Sequence, residues 1–189
     1  MRVGILGGTF DPIHIGHLVA AQSAYDQAKL DEVWFIPSNV PPLKSQQPLF
    51  TAKQRYEMTV AAISDKPSFK VLDLELKREE TSYTIDTVNE LLKLYPDYSF
   101  YWIIGADRIN DLMHWKDIYT LATKIGFIGL ARPGYELNLY ELPPLIHSQV
   151  TMVTMPPIDI SSSMIRARLQ EGQSVQFLVP DAVNEFLKR

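Results

Sequence analysis

A short apolar run, Arg2 to Leu6, is interrupted by a glycine pair, Gly7-Gly8, and a helical pattern from Leu18 to Leu30 follows. Glu32-Val33-Trp34-Phe35-Ile36-Pro37 is then a second apolar run, ended by proline. Strand, helix and strand in that order make a βαβ unit, so the first two strands are expected to be parallel and joined by a right-handed crossover. A parallel sheet needs helices over its faces. The opening residues therefore constrain everything that comes after them.

Between the first strand and the helix lies Gly7-Gly8-Thr9-Phe10-Asp11-Pro12-Ile13-His14-Ile15-Gly16-His17. In an open α/β sheet such a strand-to-helix turn is where ligands bind. Paired glycines let the backbone approach a phosphate, and the helix start offers unpaired N–H groups at a positive dipole end. Two imidazoles three residues apart complete a turn that can surround an anion, and the triphosphate of a nucleotide is the expected one. The G-x-G-x-x-G and G-x-x-x-x-G-K-[ST] fingerprints are both absent. Zinc fits poorly, because there is no cysteine and the other histidines, His114 and His147, stand apart.

At 189 residues with 46% apolar content, one domain spanning 1–189 is expected to bury a real core. The net charge of −4 argues against a nucleic-acid surface. Absence of cysteine suits a cytoplasmic protein. No apolar run is long enough to span a membrane, and the N-terminus enters a strand with no room for a signal peptide. A homo-oligomer is compatible with all of this.

Further along, the loop Ser38 to Lys44 leaves the second strand on the ligand side, with Lys44 its cation. Thr51 is placed to cap a helix running to about Ser64. Phe69 to Leu76 alternates as a strand with one wetter face. Ser82-Tyr83-Thr84 opens a helix through Tyr95 that Pro96 stops; its first amides form a carboxylate-sized site. Ser99 to Ile104 is the most apolar strand and is expected at the centre of the sheet, ending in Gly105-Ala106-Asp107. Short helical pieces then carry Trp115, whose polar neighbours His114, Lys116 and Asp117 suggest a ring free to stack. Ile125 to Ala131 and Gln149 to Met155 are the last strands, with Arg132-Pro133-Gly134 after the first and an irregular segment, holding at most one short helix, between them. A final helix follows Pro180. The fold class is α/β, a Rossmann-like open, mainly parallel sheet with helices on both faces.

Near the C-terminal end, Ile160-Ser161-Ser162-Ser163-Met164-Ile165-Arg166 starts another helix, ending near Gly172. Hydroxyls and amides collect at its start, and Arg166 lies one turn beyond Ser163. Arg168 falls on the opposite side, so a single arginine is expected to face a shared anion.

The two patterns, Gly-Gly-Thr-Phe-Asp-Pro-x-His-x-Gly-His and Ile-Ser-Ser-x-x-Ile-Arg, resemble the two signatures of the nucleotidylyltransferase superfamily. With Ser82 to Thr87, Ile103 to Asp107, Trp115 and Arg132 to Gly134 in order between them, the chain looks like a bacterial nicotinate-nucleotide adenylyltransferase over nearly its whole length. That resemblance implies transfer of the adenylyl group of ATP to nicotinate mononucleotide, giving deamido-NAD and pyrophosphate, with Mg2+ carried by ATP. It implies ATP contacts from Gly7, Gly8, Thr9, Phe10, His14, His17, Gly105, Asp107, Ser161, Ser162 and Arg166. Asn39, Lys44, Tyr83, Thr84 and Trp115 would hold the mononucleotide, and His14, His17, Lys44 and Arg166 would be catalytic. One departure is Glu80-Thr81, where a Gly-Pro pair often stands in the family, adding negative charge near the carboxylate site. Phosphopantetheine adenylyltransferase, nicotinamide-mononucleotide adenylyltransferase and a non-catalytic nucleotide sensor are the competing readings. A serine hydrolase would want G-x-S-x-G, which is missing.

Overall fold

The computed structural model describes residues 1–39, 47–78, 82–131 and 141–188. The first half runs β1 (Arg2–Gly8), α1 (Ile15–Gln27), β2 (Glu32–Pro37), α2 (Ala52–Ala62), β3 (Phe69–Val71), α3 (Thr84–Leu94) and β4 (Ser99–Gly105). Two 3-10 turns, Ala106–Arg108 and Asn110–His114, lead to α4 (Ile118–Ala122), β5 (Gly126–Ala131), α5 (Pro144–His147), β6 (Val150–Thr154), α6 (Ser162–Gln170) and α7 (Asp181–Leu187). All strand pairs are parallel, in the order β3-β2-β1-β4-β5-β6. The strand direction of growth reverses between β1 and β4, and a crevice opens there at the carboxyl ends of the strands. The expected Rossmann-like α/β fold is therefore observed, with Ser99–Gly105 at its centre.

Side-chain alternation along the strands produces two cores, one per face. Val33 and Phe35 point to the face covered by α1, α2, α6 and α7, where Ala20, Ala21, Ala24, Met58, Ile165 and Val183 are buried. Trp34 and Ile36 point the other way, joining Val3, Ile5, Trp102 and Phe127 beneath Val88 and Leu91 of α3 and Leu121 of α4. Three alanines on the buried side of α1 let that helix lie close to the sheet.

Two element boundaries differ from expectation for local reasons. Helix α1 stops at Gln27 rather than Leu30, because Lys29 enters the left-handed region at φ 53 and the Leu30 amide turns back to Tyr25 O at 3.1 Å. That is a Schellman ending, with Leu30 folded into the core as its apolar partner. The alternation of Phe69 to Leu76 is strand only as far as Val71. Beyond it the backbone turns, with Leu76 N donating to Asp73 O and Arg78 N to Glu75 O. The expected wet face is also inverted, since Glu75 is buried and accepts from Thr87 Oγ1 at 2.8 Å.

Candidate active site

The turn between β1 and α1 is held by its own rings. Phe10 takes φ 48, unusual for a bulky residue, and its ring is buried edge-on against His17, 5.0 Å between centroids. The left-handed backbone costs about 1 kcal/mol, which burial of a phenyl ring readily offsets. His14 and His17 stack at 3.7 Å. His17 Nδ1 accepts the His14 amide at 3.2 Å, which leaves the proton of a neutral His17 on Nε2 as a donor. Gly16 leaves room beneath: a Cβ there would stand 3.1 Å from the His14 ring, which would have to give by a few tenths of an ångström.

His14 is buried and its Nδ1 has no hydrogen-bond partner. Burial holds its pKa down to about 4. In the free protein at neutral pH it is thus a neutral dipole and not a cation. A buried polar atom without a partner is an uncommon and costly arrangement, and one that a ligand can satisfy.

A cleft of about 1000 Å³ opens over the carboxyl ends of β1 and β4. Gly7, His14 and His17 of the turn, Gly105 and Asp107 after β4, and Tyr83, Thr84 and Trp115 all line it. Five of the expected ATP contacts and three of the expected mononucleotide contacts thus share one cavity. Trp115 is half-buried, edge-on to Trp102 and Phe127, with its remaining surface on the cleft. Tyr83 is the N-cap of α3 but makes no side-chain cap, while Asp86 N and Thr87 N both return to Tyr83 O. The amides of Thr84 and Ile85 precede the first intrahelical bond, and Thr84 lines the cleft.

The second anchor is placed differently from expectation. Ser161, Ser162 and Arg166 do not line the cleft; they fasten α6 to the back of the histidine turn. Ser161 Oγ caps α6 by accepting from Met164 N at 3.2 Å, and Ser162 Oγ donates to Pro12 O at 2.9 Å. Arg166 Nη1 donates to Asp11 O at 2.8 Å and lies 3.4 Å from Asp11 Oδ2. The hydroxyls and the guanidinium are already used inside the protein. Arg168 points away, as expected, donating to Ser174 O at 3.0 Å. Gly8, Thr9 and Phe10 also stand off the cleft; the Phe10 ring is core, and Thr9 O is taken by Arg55. Asn39 likewise spends its amide on Arg78 O at 2.8 Å. Lys44, Glu80-Thr81 and Arg132-Pro133-Gly134 lie outside the described residues.

Two residues that shape the site are not among the expected site residues, although Asp11 lies within the signature turn. Asp11 is buried, accepting the amides of Leu49 and Phe50, each at 2.9 Å. Arg55, on α2, is buried with its guanidinium donating to the carbonyls of Phe50, Thr9, Ser38 and Asn39. Burial lowers its pKa and the Asp11 carboxylate raises it again. Together they bolt the glycine turn to the end of β2. Arg55 reads in the sequence as an ordinary surface residue of an amphipathic helix. Among the described residues no group of three or more His, Cys, Asp or Glu is placed to hold a metal ion. No helix among them is long and apolar enough to cross a membrane.

Comparison with known proteins agrees with this architecture. The cytidylyltransferase-like family matches residues 5–168. The chain is 45% identical over 187 residues to the probable nicotinate-nucleotide adenylyltransferase of Oceanobacillus iheyensis, covering 99% of this chain and 94% of that protein. It is 42% identical over 193 residues to the protein of the same name from Moorella thermoacetica, covering 99% and 89%. Among solved structures, Plasmodium falciparum nicotinic acid mononucleotide adenylyltransferase complexed with NaAD superposes with a TM-score of 0.79 at 22% identity, covering 99% and 94%, a likeness of fold. Identity at this level along nearly the full length of both relatives, on a sheet of this order, means that the chain belongs to the nicotinate-nucleotide adenylyltransferase family.

Proposed function

We propose that this cleft joins the adenylyl group of ATP to nicotinate mononucleotide, releasing deamido-NAD and pyrophosphate. The observation that carries the reading is one cavity lined both by the stacked histidines and by the start of α3 with Trp115. Leu130, Met155, Ile158 and Ile160 form an apolar wall that fits a purine, with the triphosphate over the turn and α1. The pyridine ring would stack on Trp115 and its carboxylate would accept from the amides that open α3.

The acceptor phosphate monoester is mostly a dianion at pH 7, so no general base is needed. Its oxygen attacks the α-phosphorus in line. The bond from that phosphorus to the bridging oxygen breaks, and the electron pair leaves with pyrophosphate. The difficulty is bringing two anions together, so the protein's part is positioning and stabilising charge. His17 Nε2–H would donate to the α-phosphate or the bridging oxygen as charge moves outward. His14 would act beside it as a neutral, desolvated partner. Arg166, engaged with Asp11, would support the turn and adjust its field; Lys44 would supply a cation. Magnesium would arrive on the triphosphate with its waters, as part of the substrate.

The site should prefer the acid to the amide, because a carboxamide turns at most one acceptor toward two donors. An unpaired buried donor costs about 1–3 kcal/mol, roughly tenfold to a hundredfold in preference. The test is pyrophosphate release from ATP and magnesium with nicotinate mononucleotide, nicotinamide mononucleotide or phosphopantetheine. Rapid turnover is expected with the first alone, and His17→Ala should abolish it while largely sparing the fold. Fast use of phosphopantetheine, or near-normal turnover by His17→Ala, would overturn the reading.

A further inference from the structure

One residue at the mononucleotide end remains unexplained by capping or packing. Ser82 is 9% exposed, its Oγ is buried with no hydrogen-bond partner, and it lines the cleft. A serine before a helix ordinarily caps it, but here the cap position is Tyr83 and neither side chain performs that task. The hydroxyl is thus desolvated on folding and unrewarded until something enters the cleft.

The same cleft carries a cation that no other part of the site requires. Lys116 also lines the cleft, with Nζ 4.4 Å above the Tyr83 ring and 3.5 Å from Asp86 Oδ2. The tyrosine holds the ammonium over the start of α3 by a cation–π contact. Asp86 shares its charge, and both side chains are about half exposed, which keeps the effect moderate. What Lys116 adds is a preference in sign: a carboxylate gains from it and a carboxamide does not.

We propose that Ser82 and Lys116 are specificity-determining residues for the pyridine substituent. Ser82 Oγ hydrogen-bonds one oxygen of the substrate carboxylate together with the amides opening α3, and Lys116 sets the preference for the charged over the neutral group. This rests on the adenylyl-transfer reading above. Ser82 is an orphan until substrate binds, so its loss has a distinctive signature: weaker binding without a weaker fold. A residue that merely packed would show the reverse.

The experiment compares Ser82→Ala, Lys116→Gln and Lys116→Arg in the full chain. It measures kcat and KM for nicotinate and nicotinamide mononucleotides and thermal unfolding without substrate. Ser82→Ala is expected to raise KM for nicotinate mononucleotide about tenfold, with Tm equal to or above that of the parent. Lys116→Gln is expected to lower kcat/KM for the acid about fivefold and leave that for the amide unchanged, and Lys116→Arg to restore most of the difference. A Ser82→Ala protein with parental KM, or with lowered Tm and no change in KM, overturns the role of the hydroxyl. An unchanged acid-to-amide ratio in Lys116→Gln overturns that of the ammonium. If the parent itself fails to use nicotinate mononucleotide, the adenylyl-transfer reading falls; if it turns over and the variants match it, only the present inference does.

Discussion

Acidification should destabilise this protein through His14 in a calculable way. Its folded pKa is about 4 against 6.5 for an exposed imidazole, so between those values the unfolded chain binds a proton that the native state refuses. Stability is therefore present above pH 6.5 and drains as pH falls toward 4. For a single group with those two constants the loss from pH 7 to pH 5 is about 2 kcal/mol, approaching about 3 kcal/mol at completion. Urea unfolding of the parent and of His14→Gln at pH 7, 6 and 5 isolates it, since every other titrating group, including Glu75 whose pKa burial raises, is common to both. Whatever the offset between the two proteins at pH 7, the parent should lose about 2 kcal/mol more than the variant on reaching pH 5. Parallel pH profiles, or a His14 ring resonance titrating near 6.5, would refute the burial argument. Binding of ATP should move that resonance toward higher pH, because a polyanion against the ring favours its charged form.

Arg55→Lys should cost about 3 kcal/mol in urea unfolding, because an ammonium cannot span the carbonyls that the buried guanidinium joins; a loss below about 1 kcal/mol would show those bonds to be dispensable. In Gly105→Ala the new Cβ would fall 2.4 Å from Asp107 Oδ1, so the carboxylate must swing aside at the cleft rim. We expect KM for ATP to rise several-fold with stability changed by less than about 1 kcal/mol, as suits a clash that only a flexible side chain must relieve. Chelation of magnesium should stop turnover yet leave the Tm of nucleotide-free protein unmoved, as expected if the metal travels with the triphosphate; a lowered Tm would reveal a resident ion.

What the sequence disclosed and what it concealed follow from distance along the chain. The bounds of β2 and the Thr51 cap of α2 were readable because proline, capping residues and apolar runs act within a few positions. So was the glycine turn, whose pattern is contiguous. The fate of Ser162 and Arg166 was not, since their partners Pro12 and Asp11 are 150 and 155 residues away and no local rule anticipates that pairing. Glu75 misled for the same reason: alternation promised a wet face, but Thr87 on α3 and Arg78 made an interior place for its carboxylate. Ser82 could be seen as a helix-start residue; that its hydroxyl would be left without a partner depends on how α3 meets the sheet.

The bonds from α6 to the histidine turn also bear on the order in which the enzyme matures. The turn is synthesised long before the groups that brace it from behind, which follow it by 150 and 155 residues. A nascent chain not yet extended to α6 can already pair its strands, while His14 and His17 still wait for their buttress. Adenylyl transfer should therefore begin only once α6 has been made and docked, sparing the cell half-built chains that consume ATP.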